Sequence, residues 1–183
     1  MSDGITVLKH EIIYNGRVFT VVRDEIAHEA GYHAVREVVR HDGGAVAVPL
    51  FADGDVLMIR QLRYPMRERI LELPAGKLAP GEDPIVCAAR ELAEETGWRA
   101  ERLEHLTSMM TTPGFCSEVL HIYLATGLTP GTPALEPGEE SIEVVRMPLR
   151  EAVARCMSGE IADGKTIAGI MLAAVKSMVL VNR

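Results

Sequence analysis

The chain has little that would crosslink it or bind a soft metal. Its three cysteines, Cys87, Cys116 and Cys156, are odd in number and far apart. They form no CxxC pair and no Cys/His ligand spacing, so neither a disulfide framework nor a zinc centre is expected. Unpaired thiols suit a reducing cytoplasm. The six histidines show no ligand spacing either and read as structural or exposed. Positive charge is also short: 19 Lys and Arg stand against 26 Asp and Glu, a formal net charge of −7. Such a chain repels the backbone of long nucleic acids, so no nucleic-acid partner is expected. A small anion can still bind where a metal or a local Arg supplies positive charge. Long apolar runs are missing as well. Ile167–Val175 is too short to span a bilayer. Met1–Thr20 carries Asp3, Lys9, Glu11 and Arg17 and lacks the apolar core of a signal peptide. The expectation is a cytoplasmic protein with no membrane partner.

What is present is an ordinary globular balance. There are 183 residues, 48% hydrophobic and 25% charged, enough to bury a core. No internal repeat or low-complexity tract interrupts them. Glu11–Tyr14, Asn15-Gly16 and Arg17–Val22 read as a hairpin, because Asn-Gly favours a type I′ turn. Tyr32–Arg40 is a further β-rich piece ending in the turn cluster His41-Asp42-Gly43-Gly44. A boundary there divides the chain into an N-terminal β-strand subdomain, residues 1–42, and a larger domain, residues 43–183. Two or three strands alone cannot bury a core, so the first piece must pack on the rest of the chain or on another copy.

From Ala45 the pattern changes. Ala45–Phe51 reads as a strand buried on both faces, and Val56–Leu62 as the next strand. Asp83 is a good helix N-cap, Pro84 suits the first helical position, and Gly97 suits a left-handed C-terminal cap. Leu120–Ala125 and Ile142–Met147 read as strands. Residues 129–140, rich in Pro, Gly and Glu, read as a loop. Helices are expected over Leu149–Ser158 and Thr166–Val181.

The chemistry concentrates between Gly76 and Trp98, GKLAPGEDPIVCAARELAEETGW. At about 100° per residue, Glu91, Glu94 and Glu95 fall on one side of the predicted helix. Ile85, Val86, Ala88, Ala89, Leu92 and Ala93 fall on the other, facing a core. Glu91 and Glu95, one turn apart, repel each other. A hard divalent cation compensates such a cluster, because Mg²⁺ takes oxygen from carboxylates and from substrate phosphates. Arg90, four residues before Glu94, can orient or neutralise part of it, and Glu82 adds a carboxylate from the preceding loop. Taken alone, a glutamate-rich helix turn is more often a solvated face than a metal site.

The stretch nevertheless resembles the Nudix box without departure, at Gly76, Glu82, Arg90, Glu91, Leu92, Glu94, Glu95, Gly97 and Trp98. Flanking segments resemble the family's ADP-ribose pyrophosphatase branch. They are Arg60-Gln61-Leu62-Arg63-Tyr64-Pro65, Glu72–Gly76 leading into the box, the proline loop at Pro113-Gly114, and Asp163–Thr166. Leu62 departs from the branch, which often has Tyr there. The resemblance implies an α/β fold, the Nudix α/β/α sandwich with a mixed sheet beside the small N-terminal antiparallel subdomain. It also implies Mg²⁺, with Mn²⁺ as a substitute, held by Glu91, Glu95, Glu94 and the Ala75 carbonyl. The substrate it implies is a small nucleoside diphosphate derivative, ADP-ribose first and a nucleotide sugar second. Arg63, Glu72, Pro113 and Gly114 are then candidate substrate contacts, with Arg17 beside the adenosine part. The candidate base is Glu140, then Glu139, or else a glutamate of the box. A homodimer joined through the N-terminal strands is implied too. A non-catalytic nucleotide sensor on the same fold is the alternative of a different class.

Overall fold

The computed structural model describes residues 4–135 and 141–181, with side chains to residue 178. It divides into two compact units. The first holds residues 4–43 together with Met110–Val119, and the second Gly44–Met109 with the chain from Leu120 onward. The cut near Gly43 coincides with the turn cluster. The return of Met110–Val119 to the first unit is what a division drawn along the sequence cannot express, since backbone pairing carries it. Val39 N–H donates to the Phe115 carbonyl (2.8 Å), and Ser117 N–H donates to Val39 (2.9 Å).

In the first unit β1 (Ile5–Asn15), β2 (Thr20–His28) and β3 (His33–Arg40) form an antiparallel sheet in that order. Every residue of β1 is exposed, whereas Val22, Asp24 and Ile26 alternate as buried positions of β2. The hairpin tip differs from the type I′ expectation. Asn15 pairs with Thr20, so the loop is the four residues Gly16–Phe19, and Gly16 is not left-handed. Thr20 Oγ1 donates to the Asn15 side chain (2.9 Å), and Gly16 N–H to the Phe19 carbonyl (3.0 Å). A Cβ on Gly16 would lie 2.5 Å from the exposed Tyr14 ring, which would have to move aside.

The second unit is built on a mixed four-stranded sheet, ordered β7 (Ala75–Lys77), β4 (Gly44–Pro49), β9 (Val119–Pro130), β8 (Trp98–Met110). β4 runs parallel to β9 and antiparallel to β7. A second sheet, β10 (Glu143–Pro148), β5 (Asp55–Arg63), β6 (Glu68–Glu72), is antiparallel. All of β4 is buried, because its two faces serve different helices. Val46 and Val48, with Ile122 and Leu124 of β9, join the core of α2 (Leu149–Ser158) and α3 (Gly164–Val181) through Ala152, Ile170 and Ala173. Ala45 and Ala47, with Tyr123 and Ala125, face α1 (Pro84–Thr96) through Cys87, Ala88 and Leu92. This is the α/β/α sandwich with a mixed sheet, and the alternation of strand side chains produces it.

Asp83 caps α1 by accepting from Ile85 N–H, and Gly97 closes it in the left-handed conformation (φ 75°). The helix is rolled relative to the periodicity argument. Its buried residues are Cys87, Ala88, Leu92, Glu95 and Thr96, whereas Val86 is 55% and Ile85 38% exposed. Val86 is thereby turned away from the buried face, whereas Ile85 lies in line with Leu92 and Thr96 but in the first turn of the helix. The short strands β6 and β7 and the long β8 carry no turn-bounded apolar alternation and were not legible. Among the described residues no helix is long and apolar enough to cross a membrane.

Candidate active site

The short strand β7 and the face of α1 next to it make one pole of the site. Arg90 is its hub. Its guanidinium donates to Glu82 (Nε, 2.9 Å; Nη2, 3.1 Å), Glu91 (Nη1, 2.6 Å) and Glu94 (Nη1, 3.0 Å). Glu82 also accepts from Ala79 N–H (2.9 Å), which fixes the loop before the helix. These donors, Arg90 foremost, hold the Glu82 carboxyl down at about 2. The Glu82 hydrogen bond in turn pushes the Arg90 guanidinium above its ordinary value. Three carboxylates thus meet one arginine, Glu95 adds a fourth from the same helix, and an excess of negative charge remains.

Two of them press on the backbone of β7. Glu95 is 3% exposed, and its Oε2 accepts from Ala75 N–H (3.0 Å). Glu91 lies directly over Gly76: a Cβ built on that glycine would fall inside the Glu91 carboxylate. Gly76 is not among the residues with positive φ. Glycine there permits the close approach of the Glu91 carboxylate and does not serve backbone conformation.

The second pole surrounds Glu72, whose side chain is fully buried. Arg63 grips it with a two-pronged fork, Nε to Oε1 and Nη2 to Oε2, both 2.8 Å. Lys165 reaches the same carboxylate at 2.5 Å and Asp163 at 2.9 Å. Asp163 accepts from Thr166 N–H (3.0 Å) and hydroxyl (2.5 Å), and Leu73 N–H donates to that hydroxyl (2.9 Å). Burial raises the Asp163 carboxyl, but Lys165 and Thr166 outweigh it and leave it below its usual range. Burial opposes the charge of Arg63 too, and Glu72, then Glu95 and Asp163, prevail and raise it. The field of Glu95 at Arg63 links the two poles. The third guanidinium nitrogen of Arg63, Nη1, makes no hydrogen bond among the described residues and so remains for an anion.

The structure thus brings together Ala75, Glu91, Glu94, Glu95, Arg63 and Glu72 of the predicted set in one unit. Glu72 is closed to solvent, so any effect it has on substrate passes through Arg63 and Lys165. Pro113 and Gly114 sit in an exposed turn of the first unit, closed by Cys116 N–H donating to Thr112 (2.9 Å). Arg17 lies in the Gly16–Phe19 loop and lines a cavity of about 460 Å³ with Phe19, Arg40, His41 and Ser117. Glu139 and Glu140 lie outside the described residues. Sequence reasoning missed Lys165, Asp163 and Thr166 as parts of the site. Its one signal was the short run Asp163–Thr166, and nothing local ties that run to Glu72.

A family model described as the NUDIX domain matches residues 41–168. The chain belongs to the Nudix hydrolase family. Along nearly its whole length it is similar to two bacillary proteins. It is 38% identical to the methanol dehydrogenase activator of Bacillus methanolicus over 164 residues, 89% of either chain. It is 35% identical to the ADP-ribose pyrophosphatase of Bacillus subtilis over 172 residues, 93% of this chain and 92% of that one. Among solved structures, an ADP compounds hydrolase superposes with a TM-score of 0.81 at 25% identity, covering 94% of this chain and 93% of that one.

The Nudix carboxylates suit a hard divalent ion. All are oxygen donors, and the glycine cradle lets Glu91 reach the β7 backbone. Arg90 engages Glu82, Glu91 and Glu94 by hydrogen bonds, and among the described residues no three His, Cys, Asp or Glu side chains form a ready cage. Mg²⁺ does not need one, since it keeps waters and takes one or two carboxylates together with substrate phosphates.

Proposed function

We propose that this Nudix hydrolase cleaves the pyrophosphate bond of ADP-ribose to AMP and ribose 5-phosphate, with Mg²⁺ as cofactor and Mn²⁺ as substitute. The observation that carries the reading is the packing of Glu91 and Glu95 against the Ala75–Gly76 backbone, with Arg63, whose Nη1 makes no hydrogen bond among the described residues, in the field of Glu95. The kinship with the Bacillus subtilis ADP-ribose pyrophosphatase supports the substrate.

In this reading Glu91, Glu95, Glu94 and the Ala75 carbonyl hold the metal. When bound, it neutralises the diphosphate and acidifies a water molecule. Arg90 keeps Glu82 charged and holds Glu82, Glu91 and Glu94 in place by hydrogen bonds. Arg63, anchored by Glu72, presents Nη1 to a diphosphate oxygen. A carboxylate takes the proton of the attacking water: Glu140, Glu139 or a glutamate of the box. Pro113, Gly114 and Arg17 are further substrate contacts in this reading, Arg17 at the adenosine part. The exposed apolar β1, with Val7, Leu8, Ile12 and Tyr14 open to solvent, supports a homodimer, since a long bare edge strand invites pairing. Free thiols agree with a cytoplasmic setting.

The same carboxylates and arginine address only the diphosphate, so a nucleotide sugar is the second reading. Product analysis with a panel of ADP-ribose, nucleotide sugars and nucleoside triphosphates, with and without Mg²⁺, tests both. AMP and ribose 5-phosphate from ADP-ribose at the highest kcat/KM is the expected result. A higher kcat/KM for a sugar nucleotide or triphosphate overturns it. Light scattering tests the dimer, and a monomer at all concentrations refutes it.

A further inference from the structure

We propose that His105, Ser108 and His121 form a second metal site, for a borderline transition ion of the Zn²⁺ or Cu²⁺ class. His105 and Ser108 lie on β8 and His121 on β9, which are neighbours in the sheet. Ser108 Oγ is 3.0 Å from His105 Nε2 and 2.8 Å from His121 Nδ1. Two imidazole nitrogens, one from each strand, therefore aim at a single oxygen. A hydroxyl has one proton, so it can donate to only one of them. With both rings in the lone-pair tautomer, an ion at that point gains two nitrogens and the serine oxygen.

The surroundings favour this occupant. The His105 ring rests at a steep angle on Tyr123, with centroids 5.4 Å apart, which limits its rotation. His105 and Ser108 are exposed, leaving room for water to complete the coordination. Imidazole selects zinc, copper and nickel, whereas the glutamates around Arg90 are hard donors that select magnesium and manganese. The two sites thus differ in chemistry. This one bridges β8 to β9, so an ion there clamps the edge strand of the sheet. It consists of two imidazoles, a hydroxyl and water, none of them among the proposed metal, substrate or base residues.

The probe is Cu²⁺ added in saturating Mg²⁺, which keeps the carboxylates occupied, read by electron paramagnetic resonance. One tight copper with coupling to two nitrogens is expected. His105→Ala and His121→Ala should each remove one nitrogen. Changes outside the first ligand sphere already cost about 10–100-fold in metal affinity, so loss of a direct ligand should weaken binding at least that much. Zn²⁺ should raise the Tm of the parent protein and not of the double variant. Mg²⁺-dependent hydrolysis should persist in all variants. If the metal-free Tm of His121→Ala falls, His121→Gln replaces it. Copper bound with the same nitrogen coupling in the double variant, or no copper bound by the parent, overturns the proposal.

Discussion

Glu72 and Lys165 stand 93 residues apart in the chain and 2.5 Å apart in space. Arg63 completes the arrangement from the other side. The buried carboxylate is therefore doubly countered: Glu72 fixes Arg63, and a lysine from the far end of the sequence holds Glu72.

Removing the centre of this network should be costly. Glu72→Ala leaves Arg63 and Lys165 without their partner, and breaking a buried ion pair costs about 3–5 kcal/mol. Urea denaturation should show the loss, and the KM for the diphosphate substrate should rise because Arg63 is no longer held. An unchanged denaturation midpoint refutes the network's structural role.

Glu95→Gln keeps a side chain of the same shape and can still accept from Ala75 N–H. It should fold with a similar Tm while turnover falls by about a hundredfold or more, the scale of losing one preorganised electrostatic group. Steady-state kinetics at saturating Mg²⁺ check this. Near-normal kcat would remove Glu95 from the site.

Gly76→Ala tests space alone, since no unusual φ is required there. The added methyl collides with the Glu91 carboxylate, so Glu91 must leave its position over β7. Weaker Mg²⁺ dependence and lower activity are expected with little change in the circular dichroism spectrum. Calorimetric Mg²⁺ titration of the variant reads the first effect directly.

Stability should respond to acid through Glu82. Its folded-state carboxyl sits at about 2, against an ordinary value of 4.5. A depressed acid stabilises the fold above its unfolded value and ceases to do so as pH falls through the folded value. The Tm difference between parent and Glu82→Gln should therefore be largest above pH 4.5 and shrink toward pH 2. A difference that stays flat across this range contradicts the Arg90 contact.

Leu92 is fully buried between α1 and the sheet, touching the cluster of Ala47 and Ala125. Leu92→Ala should cost about 2–5 kcal/mol, measured by denaturant unfolding. A loss below that range would mean that the α1 face is less closely packed than its burial implies.

Much of the fold follows from local chemistry that a sequence displays. Asp83, Pro84 and Gly97 bound α1 through capping and φ preference, effects confined to a few residues. The apolar run from Ala45 marks a doubly covered strand, and the spacing of Glu91, Glu94, Glu95 and Arg90 places their side chains within mutual reach on one turn. Tertiary structure decided the remainder. The roll of α1 depends on what buries Glu95, not on periodicity. The partner of Glu72, the return of Met110–Val119 to β3 and the meeting of His105 with His121 are contacts between segments distant in the chain. They arise only when strands pair and layers pack, because burial and register act between segments and leave no mark on the spacing within any one of them.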